Sequence, residues 1–331
     1  MRLKDIYKIY KFGNSLYKSH QEYKKIYGLQ DKLNGLSNVR FYNWWQVEDY
    51  STLWFYQFIQ NNGLLNGING RRFCLCSVFN DREVLSHIRN DIKIFFSGEN
   101  LHLPVWSQYA DALLGDKNCQ LSLGFDYFED VRYLRFPLWL IYILKPTTND
   151  EEIKLLIQNL RYPSVDNRDK FACLIARADI SGLRTEMYNA LNNVAKIDCP
   201  STLFHNDDSL IDKYLDNKKE YLRNYTFNIC PENSNALGYC TEKVFEAIES
   251  GCIPIYWGCY NVPEPKVLNH DAIIFWDKND NGEKAVEQIT DLYNHPSRLK
   301  EFLSQPRLLP SAEEEIINMI NNLKKRLSAL L

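Results

Sequence analysis

The residues able to do chemistry concentrate at 230–258 of this 331-residue chain, CPENSNALGYCTEKVFEAIESGCIPIYWG. Threonine is a favoured helix N-cap and glycine a favoured terminator, so the spacing predicts a helix over 242–250 that Thr241 caps and Gly251 ends. Lys243 then falls in the first turn. A cation sits poorly at the positive end of a helix dipole, which points to an anion that it must neutralise. Glu242, beside it, can accept hydrogen bonds from sugar hydroxyls. Asn233, Ser234, Asn235 and Gly238 read as a polar loop entering this helix from a strand at 224–230, and a second strand follows at 253–257. Loop and helix N-terminus thus meet at the carboxyl end of a parallel strand, where open α/β sheets bind ligands and unpaired N–H groups favour phosphate. The pattern suits a phosphate or nucleotide site, and a plain capped crossover helix is the competing reading.

The elements that must hold these residues alternate along the chain. Apolar runs at 72–79 and 92–97 read as buried strands, and a strand at 171–176 and a helix at 184–195 open the second half. This alternation predicts an α/β protein with parallel sheets and right-handed crossovers. A polar stretch at 145–170 carries Pro146, Thr147, Thr148, Asn149, Asp150, Pro163 and Asp166 around a short helix at 151–160, and marks a domain boundary. The expected domains are 1–158 and 159–331. Ser311, three residues before Glu314, is a capping-box pattern. Ile316, Ile317, Ile320, Leu323, Leu327 and Leu330 follow at helical spacing, predicting an amphipathic helix over 311–330 docked on the protein or on a membrane.

Composition bounds the partners. A net charge of -3, from 39 basic and 42 acidic residues, supplies no global field to recruit nucleic acid or an anionic membrane. Arg2, Lys4, Lys8, Lys11, Lys18, Lys24 and Lys25 form a basic N-terminal stretch that reads as a solvated helix face, with a membrane contact as the alternative. Nine scattered cysteines show no zinc spacing, several sit in apolar runs, and together they favour reduced thiols in a cytoplasmic protein. The start of the chain lacks the apolar core of a signal peptide. The run DKNDNG at 277–282 places Gln288 where a calcium loop needs a bidentate Glu, so it reads as an ordinary loop and no metal site is expected.

The segment 230–258 resembles the signature of the α1,3-fucosyltransferases, glycosyltransferase family ten. Its pattern of Glu-Asn-Ser, Tyr, Thr-Glu-Lys and Pro-Ile-Tyr-Trp-Gly is matched by Glu232-Asn233-Ser234, Tyr239, Thr241-Glu242-Lys243 and Pro254-Ile255-Tyr256-Trp257-Gly258. In the first half, Phe96-Ser97-Gly98-Glu99-Asn100, Gly124-Phe125-Asp126-Tyr127 and Tyr133-Leu134-Arg135-Phe136-Pro137 resemble acceptor-side segments of bacterial members.

The resemblance implies a GT-B architecture, two Rossmann-like domains facing a cleft, with acceptor bound by the first and GDP-fucose by the second. It implies inversion in one displacement. Glu99, just after a strand end and Gly98, becomes the general base. Lys243 and an arginine meet the charge of departing GDP; Arg184 is the candidate and Arg177 its rival. Asn233, Ser234, Tyr239 and Thr241 become donor contacts, and Glu242 a ligand of fucose or ribose. Asn100, Trp106, Tyr127, Glu129 and Arg135 are implied on the acceptor side, where Trp106, Tyr109, Tyr127, Phe128 and Trp139 could stack on sugar faces.

No cofactor is implied beyond the donor, and a divalent metal would at most stimulate. The implied acceptor is an N-acetyllactosamine-like β-galactosyl-GlcNAc unit, as in Lewis-type decoration of bacterial lipopolysaccharide. An enzyme at the inner face of the cytoplasmic membrane, acting on lipid-linked glycan, would give the basic N-terminus and the C-terminal helix a use. The alternatives are another GDP-deoxysugar, an α1,4 linkage, and a catalytically silent glycan-binding module.

Overall fold

The structure, a computed structural model, describes residues 3–45, 47–66, 70–89, 91–109, 119–147, 149–164 and 168–331, with the backbone alone over 3–17. Arg2, Thr148 and Asp166, and the side chains of Lys4, Lys8 and Lys11, lie outside what is described. The chain divides into two compact units.

In the first unit, β1 (Val39–Tyr42), β2 (Phe73–Cys76), β3 (Ile92–Phe96), β4 (Leu121–Gly124) and β5 (Tyr133–Arg135) form one parallel sheet in chain order. Every residue of β1 to β4 is buried, which is why β2 and β3 read as continuous apolar runs. β1 is masked in the sequence by Arg40, a charge within an otherwise apolar run. That guanidinium is buried, and it donates to Asp31 and to the carbonyls of Ser37 and Gly35. Asn34, at the end of the helix Leu3–Asn34, pins the strand by exchanging two hydrogen bonds with Phe41 at 2.7 and 2.9 Å.

Rings of Trp44, Phe55, Phe96 and Phe136 pack with centroids 4.9–5.9 Å apart. The aromatic excess therefore goes largely into the core. Of the five rings expected to stack on sugars, Tyr109 and Trp139 are fully buried, Trp106 and Phe128 pack against core residues, and only Tyr127 is broadly exposed, at 52%.

The second unit holds β6 (Lys170–Cys173), β7 (Ile197–Asp198), β8 (Tyr225–Ile229), β9 (Ile253–Tyr256) and β10 (Ile274–Phe275), all parallel, in the order β10-β9-β8-β6-β7. The chain moves outward from β6 to β7, then returns to the other side of β6 for β8, β9 and β10. The order reverses between β6 and β8, and that switch point opens the crevice in which such sheets hold ligands.

The expected boundary at 158/159 is not where the units divide. The second unit comprises Phe125–Tyr127 and Pro137–Asn321, and the first regains Asn322–Leu331. Trp139 lies flat on Phe245 with centroids 4.3 Å apart and donates its indole N–H to Glu264 at 2.8 Å, so the helix Trp139–Ile143 belongs with the second core. The polar stretch after it marks a surface helix, Asp150–Arg161. Asn149 and Glu152 exchange side-chain and backbone hydrogen bonds there in a capping box.

The C-terminal helix runs Ala312–Ser328 and buries Ile316, Ile320, Leu323 and Leu327, so its apolar face is covered by protein. Ser311 Oγ donates to the Lys266 carbonyl at 2.8 Å at one end, and Arg326 donates to the carbonyls of Asp130 and Tyr133 at the other. Among the described residues no helix is long and apolar enough to cross a membrane. All nine cysteines are buried and none is in a disulfide.

Candidate functional site

A pocket opens at the β6/β8 switch point. Its floor comes from the segments after the two strands, with Leu174, Ile175, Cys230 and Pro231, and its rim from Arg184, Glu242, Lys243 and Glu246. The helix Glu242–Glu249 turns Val244, Phe245, Ala247 and Ile248 into the core. The remaining face presents Glu242 and Lys243, with Glu246 one turn further on. Gly251, at φ +76, ends this helix; a Cβ there would fall 2.4 Å from the Ser164 carbonyl.

Thr241 occupies the N-cap position, but its side chain makes no cap hydrogen bond. Its hydroxyl instead donates to Glu232 Oε2 at 2.7 Å, and its backbone N–H donates to Glu232 Oε1 at 2.7 Å. A nearby carboxylate is a stronger acceptor than a hydroxyl, and it takes both groups. Glu232 also accepts from Lys243 Nζ at 3.0 Å and from the Tyr256 hydroxyl at 3.3 Å. Thr241 and Glu232 are both buried, which makes them supports of the site and not exposed ligands.

Lys243 donates as well to Thr241 Oγ1 at 2.7 Å and lies 3.7 Å from Glu242. Burial opposes its charge, yet Glu232 and Glu242 outweigh that cost and hold its pKa above the ordinary lysine value. The ammonium is therefore fixed and positive at the pocket wall. Glu246, at the next turn, has its pKa raised by burial and further by Glu242, against the pull of Lys218, Lys219 and Lys243.

Arg184, in the helix Leu183–Leu191, donates to the Ala178 carbonyl at 2.7 Å and to Asn233 Oδ1 at 2.8 Å. It thus joins the loop after β6 to the loop after β8. Asp179 caps the same helix by accepting from the Thr185 N–H and hydroxyl, both at 2.8 Å. Arg177, the rival arginine, is exposed and does not line this pocket.

Asn233 is exposed and Ser234 half-buried in the loop. Tyr239 is 2% exposed and meets Phe125 edge to face at 5.1 Å, so its ring packs behind the loop instead of lining the pocket. Gly238, at φ +81, makes this approach possible: a Cβ there would lie 2.6 Å from the Phe125 carbonyl and 3.1 Å from the Tyr127 ring. Tyr127, expected on the acceptor side, groups with the second unit, where its ring lies beside Gly238.

In the first unit Glu99 follows the end of β3 by three residues and is half-buried, with its N–H donating to Ser97 Oγ at 3.0 Å. The turn toward His102 is made by Asn100, whose Oδ1 accepts from the His102 N–H at 3.1 Å. Asn100 is 3% exposed. Trp106 packs against the core around Tyr109, Glu129 is exposed, and Arg135 ends β5 half-buried.

Sequence reasoning quoted Glu232 but gave it no role, and passed over Glu246. The signals were present: an acid directly after a buried strand and Pro231, and a second acid four residues beyond Glu242. Asp277 and Asp280 turn their loop by accepting from the N–H groups of Asn279 and Gly282, at 2.8 and 2.9 Å. Among the described residues no cluster of three or more His, Cys, Asp or Glu side chains is placed to hold a metal ion.

Two sequence profiles match the chain: the C-terminal region of glycosyltransferase family 10 (fucosyltransferase) at 165–310, and the alpha-(1,3)-fucosyltransferase FucT N-terminal domain at 39–142. The chain is similar to the alpha-(1,3)-fucosyltransferase FucT of Helicobacter pylori, with 27% identity over 252 residues, 67% of this chain and 48% of that protein. It spans about half the length of that relative. An alpha-(1,4)-fucosyltransferase of Arabidopsis thaliana is 34% identical over 80 residues, 22% of this chain and 19% of that one.

Among solved structures, an alpha1,3-fucosyltransferase matches with a TM-score of 0.56 at 21% identity over 87% of this chain and 89% of that one. Its complex with GDP-fucose matches at 0.54, with 20% identity over 87% and 90%. These likenesses show a shared fold, α/β of the GT-B type with two parallel sheets.

Proposed function

The chain belongs to glycosyltransferase family 10, the fucosyltransferases, and on that basis we propose that it moves L-fucose from GDP-fucose to the GlcNAc of an N-acetyllactosamine-like acceptor in an inverting α1,3 transfer. The observation that carries this reading is the switch-point pocket, where Lys243 and Arg184 supply positive charge beside Glu242. The diphosphate of the donor lies against that cationic wall and the helix N-terminus. Glu242 accepts hydrogen bonds from sugar hydroxyls, and Asn233 holds Arg184 in place.

In the transfer, the acceptor hydroxyl oxygen attacks C1 of the fucose from the face opposite GDP. Its proton passes to the Glu99 carboxylate, acting as general base. The bond from C1 to the diphosphate oxygen breaks, its electron pair leaves with GDP, and Lys243 and Arg184 meet the developing charge. A β-linked donor becomes an α-linked product in one step. Similarity to an alpha-(1,4)-fucosyltransferase over part of the chain favours transfer to O4 as a second reading of the linkage.

The test is GDP release from GDP-fucose against a panel of lactosamine-type acceptors, with linkage analysis of the product. The expected result is acceptor-dependent release and an α1,3-fucosyl product, undiminished by excess chelator. No release with any acceptor, together with no heat on titration with GDP, removes the proposal.

A further inference from the structure

Glu232 carries a charge into a place where charge is costly. Its side chain is fully buried, and an ionised carboxylate there persists only if it is paired and hydrogen-bonded. Its acceptor sites are filled by three residues: the N–H and hydroxyl of Thr241 at the head of the helix, Lys243 Nζ within it, and the Tyr256 hydroxyl from β9. The backbone is fixed too, because the Glu232 N–H donates to the Trp257 carbonyl at 2.8 Å, continuing the β8/β9 ladder past the strand ends. Gly258 closes the niche at φ +141; a Cβ on it would stand 2.6 Å from Glu232 Cγ. Nothing in this arrangement lets the carboxylate reach the pocket. Of its partners, Lys243 is the one that lines the pocket.

We propose that Glu232 is the positioning residue of the donor site, a buried counter-ion that keeps Lys243 charged and aimed at the diphosphate position. The inference rests on the reading of this pocket as a donor site. An ammonium has three N–H donors, and Glu232 Oε2 and Thr241 Oγ1 take two, leaving the third for a ligand in the pocket that Lys243 lines.

The groups facing Lys243 are Glu232 from the loop after β8, Glu242 and Glu246 from its own helix, Arg184 from the helix Leu183–Leu191, and the buried Cys230 thiol and Tyr256 phenol behind Glu232. Glu232 is the nearest carboxylate, at 3.0 Å against 3.7 Å for Glu242, and the one wholly removed from water. Removing its charge while keeping its shape therefore leaves Lys243 half-buried between Arg184 and a weakened counter-charge. Its pKa then falls.

The variant is Glu232→Gln in the full chain, with two readouts. In the first, Lys243 is followed by ¹³C NMR of labelled lysine side chains, assigned by its absence in Lys243→Arg. The wild-type signal should not move below about pH 11, whereas in Glu232→Gln it should titrate near or below the ordinary ~10.4. In the second, GDP affinity is measured by calorimetry between pH 7 and 9.5. The wild type should change by less than about twofold and the variant should lose more than that by pH 9.5, as expected for an ammonium that begins to deprotonate within that window.

A Lys243 titration unchanged in Glu232→Gln overturns the proposal. If neither protein binds GDP, the donor-site reading fails while the NMR titration still decides the role of Glu232. Should Glu232→Gln not fold, Glu232→Gln/Lys243→Met is used: a folded double variant supports the ion pair, and one as unfolded as the single variant overturns it.

Discussion

Glu99 and Lys243 divide the work of the proposed transfer, and single substitutions separate their parts. Glu99→Gln keeps the shape of the side chain and removes its basicity. A positioned general base contributes about 10² to 10⁴ in rate, so turnover should fall by that order while GDP affinity stays within about twofold. Near-normal turnover would return Glu99 to the rank of a loop carboxylate. Lys243→Ala acts on the other substrate: losing a charge-assisted hydrogen bond of ~1.5–3 kcal/mol should weaken GDP binding roughly 10- to 100-fold in a calorimetric titration. The same variant leaves Glu232 buried without its cation, which should also cost about 3–5 kcal/mol in urea unfolding. Lys243→Ala with unchanged GDP affinity would sink the phosphate-clamp role.

At the scale of elements, the site is one strand, one loop and one helix, and what holds the loop is a close approach of backbones. Gly238 sits at φ +81 against the Phe125 carbonyl. Gly238→Ala adds the left-handed penalty of ~1–2 kcal/mol and a contact that neither backbone can relieve cheaply. The loop should shift, the 2.8 Å bond between Arg184 and Asn233 should break, and GDP affinity should drop several-fold with a modest loss of Tm. Equal GDP affinity in calorimetry would mean that the loop does not position the site.

Much of this unit was legible because its elements are short, buried and bounded by turn chemistry. The strand at 225–229, the helix at 242–249 and its glycine terminator follow from apolar runs and from Gly251. The use of Thr241 was not legible. Its cap position follows from sequence, but the competing carboxylate of Glu232 becomes its neighbour only once the loop has folded back. The burial of Tyr239 and Asn100 was not legible for a related reason. A polar or aromatic residue in a motif looks like a ligand until its burial against Phe125, or its bond to the His102 N–H, is known. β1 was hidden by Arg40, whose partners lie in the preceding helix and turn.

At the scale of the whole molecule, near-neutral charge agrees with a donor held by two fixed local cations and an uncharged sugar acceptor, with no long-range field required. The organisation of the chain yields a sharper expectation. Its last ten residues return to the first unit, where Leu323 and Leu327 are buried and Arg326 donates to the carbonyls of Asp130 and Tyr133 beside β5. Truncation after Asn321 removes two core leucines whose individual loss to alanine costs ~2–5 kcal/mol, and uncovers three carbonyl oxygens counting that of Val131. The truncated protein should lose several kcal/mol in the first unit. Hydrogen exchange should show protection falling at Leu121–Gly124 and Tyr133–Arg135, while Tyr225–Ile229 and the helix Glu242–Glu249 keep theirs. Loss of protection centred on the second unit instead would restore the division at 158/159 and make the C-terminal helix part of the GDP-binding domain.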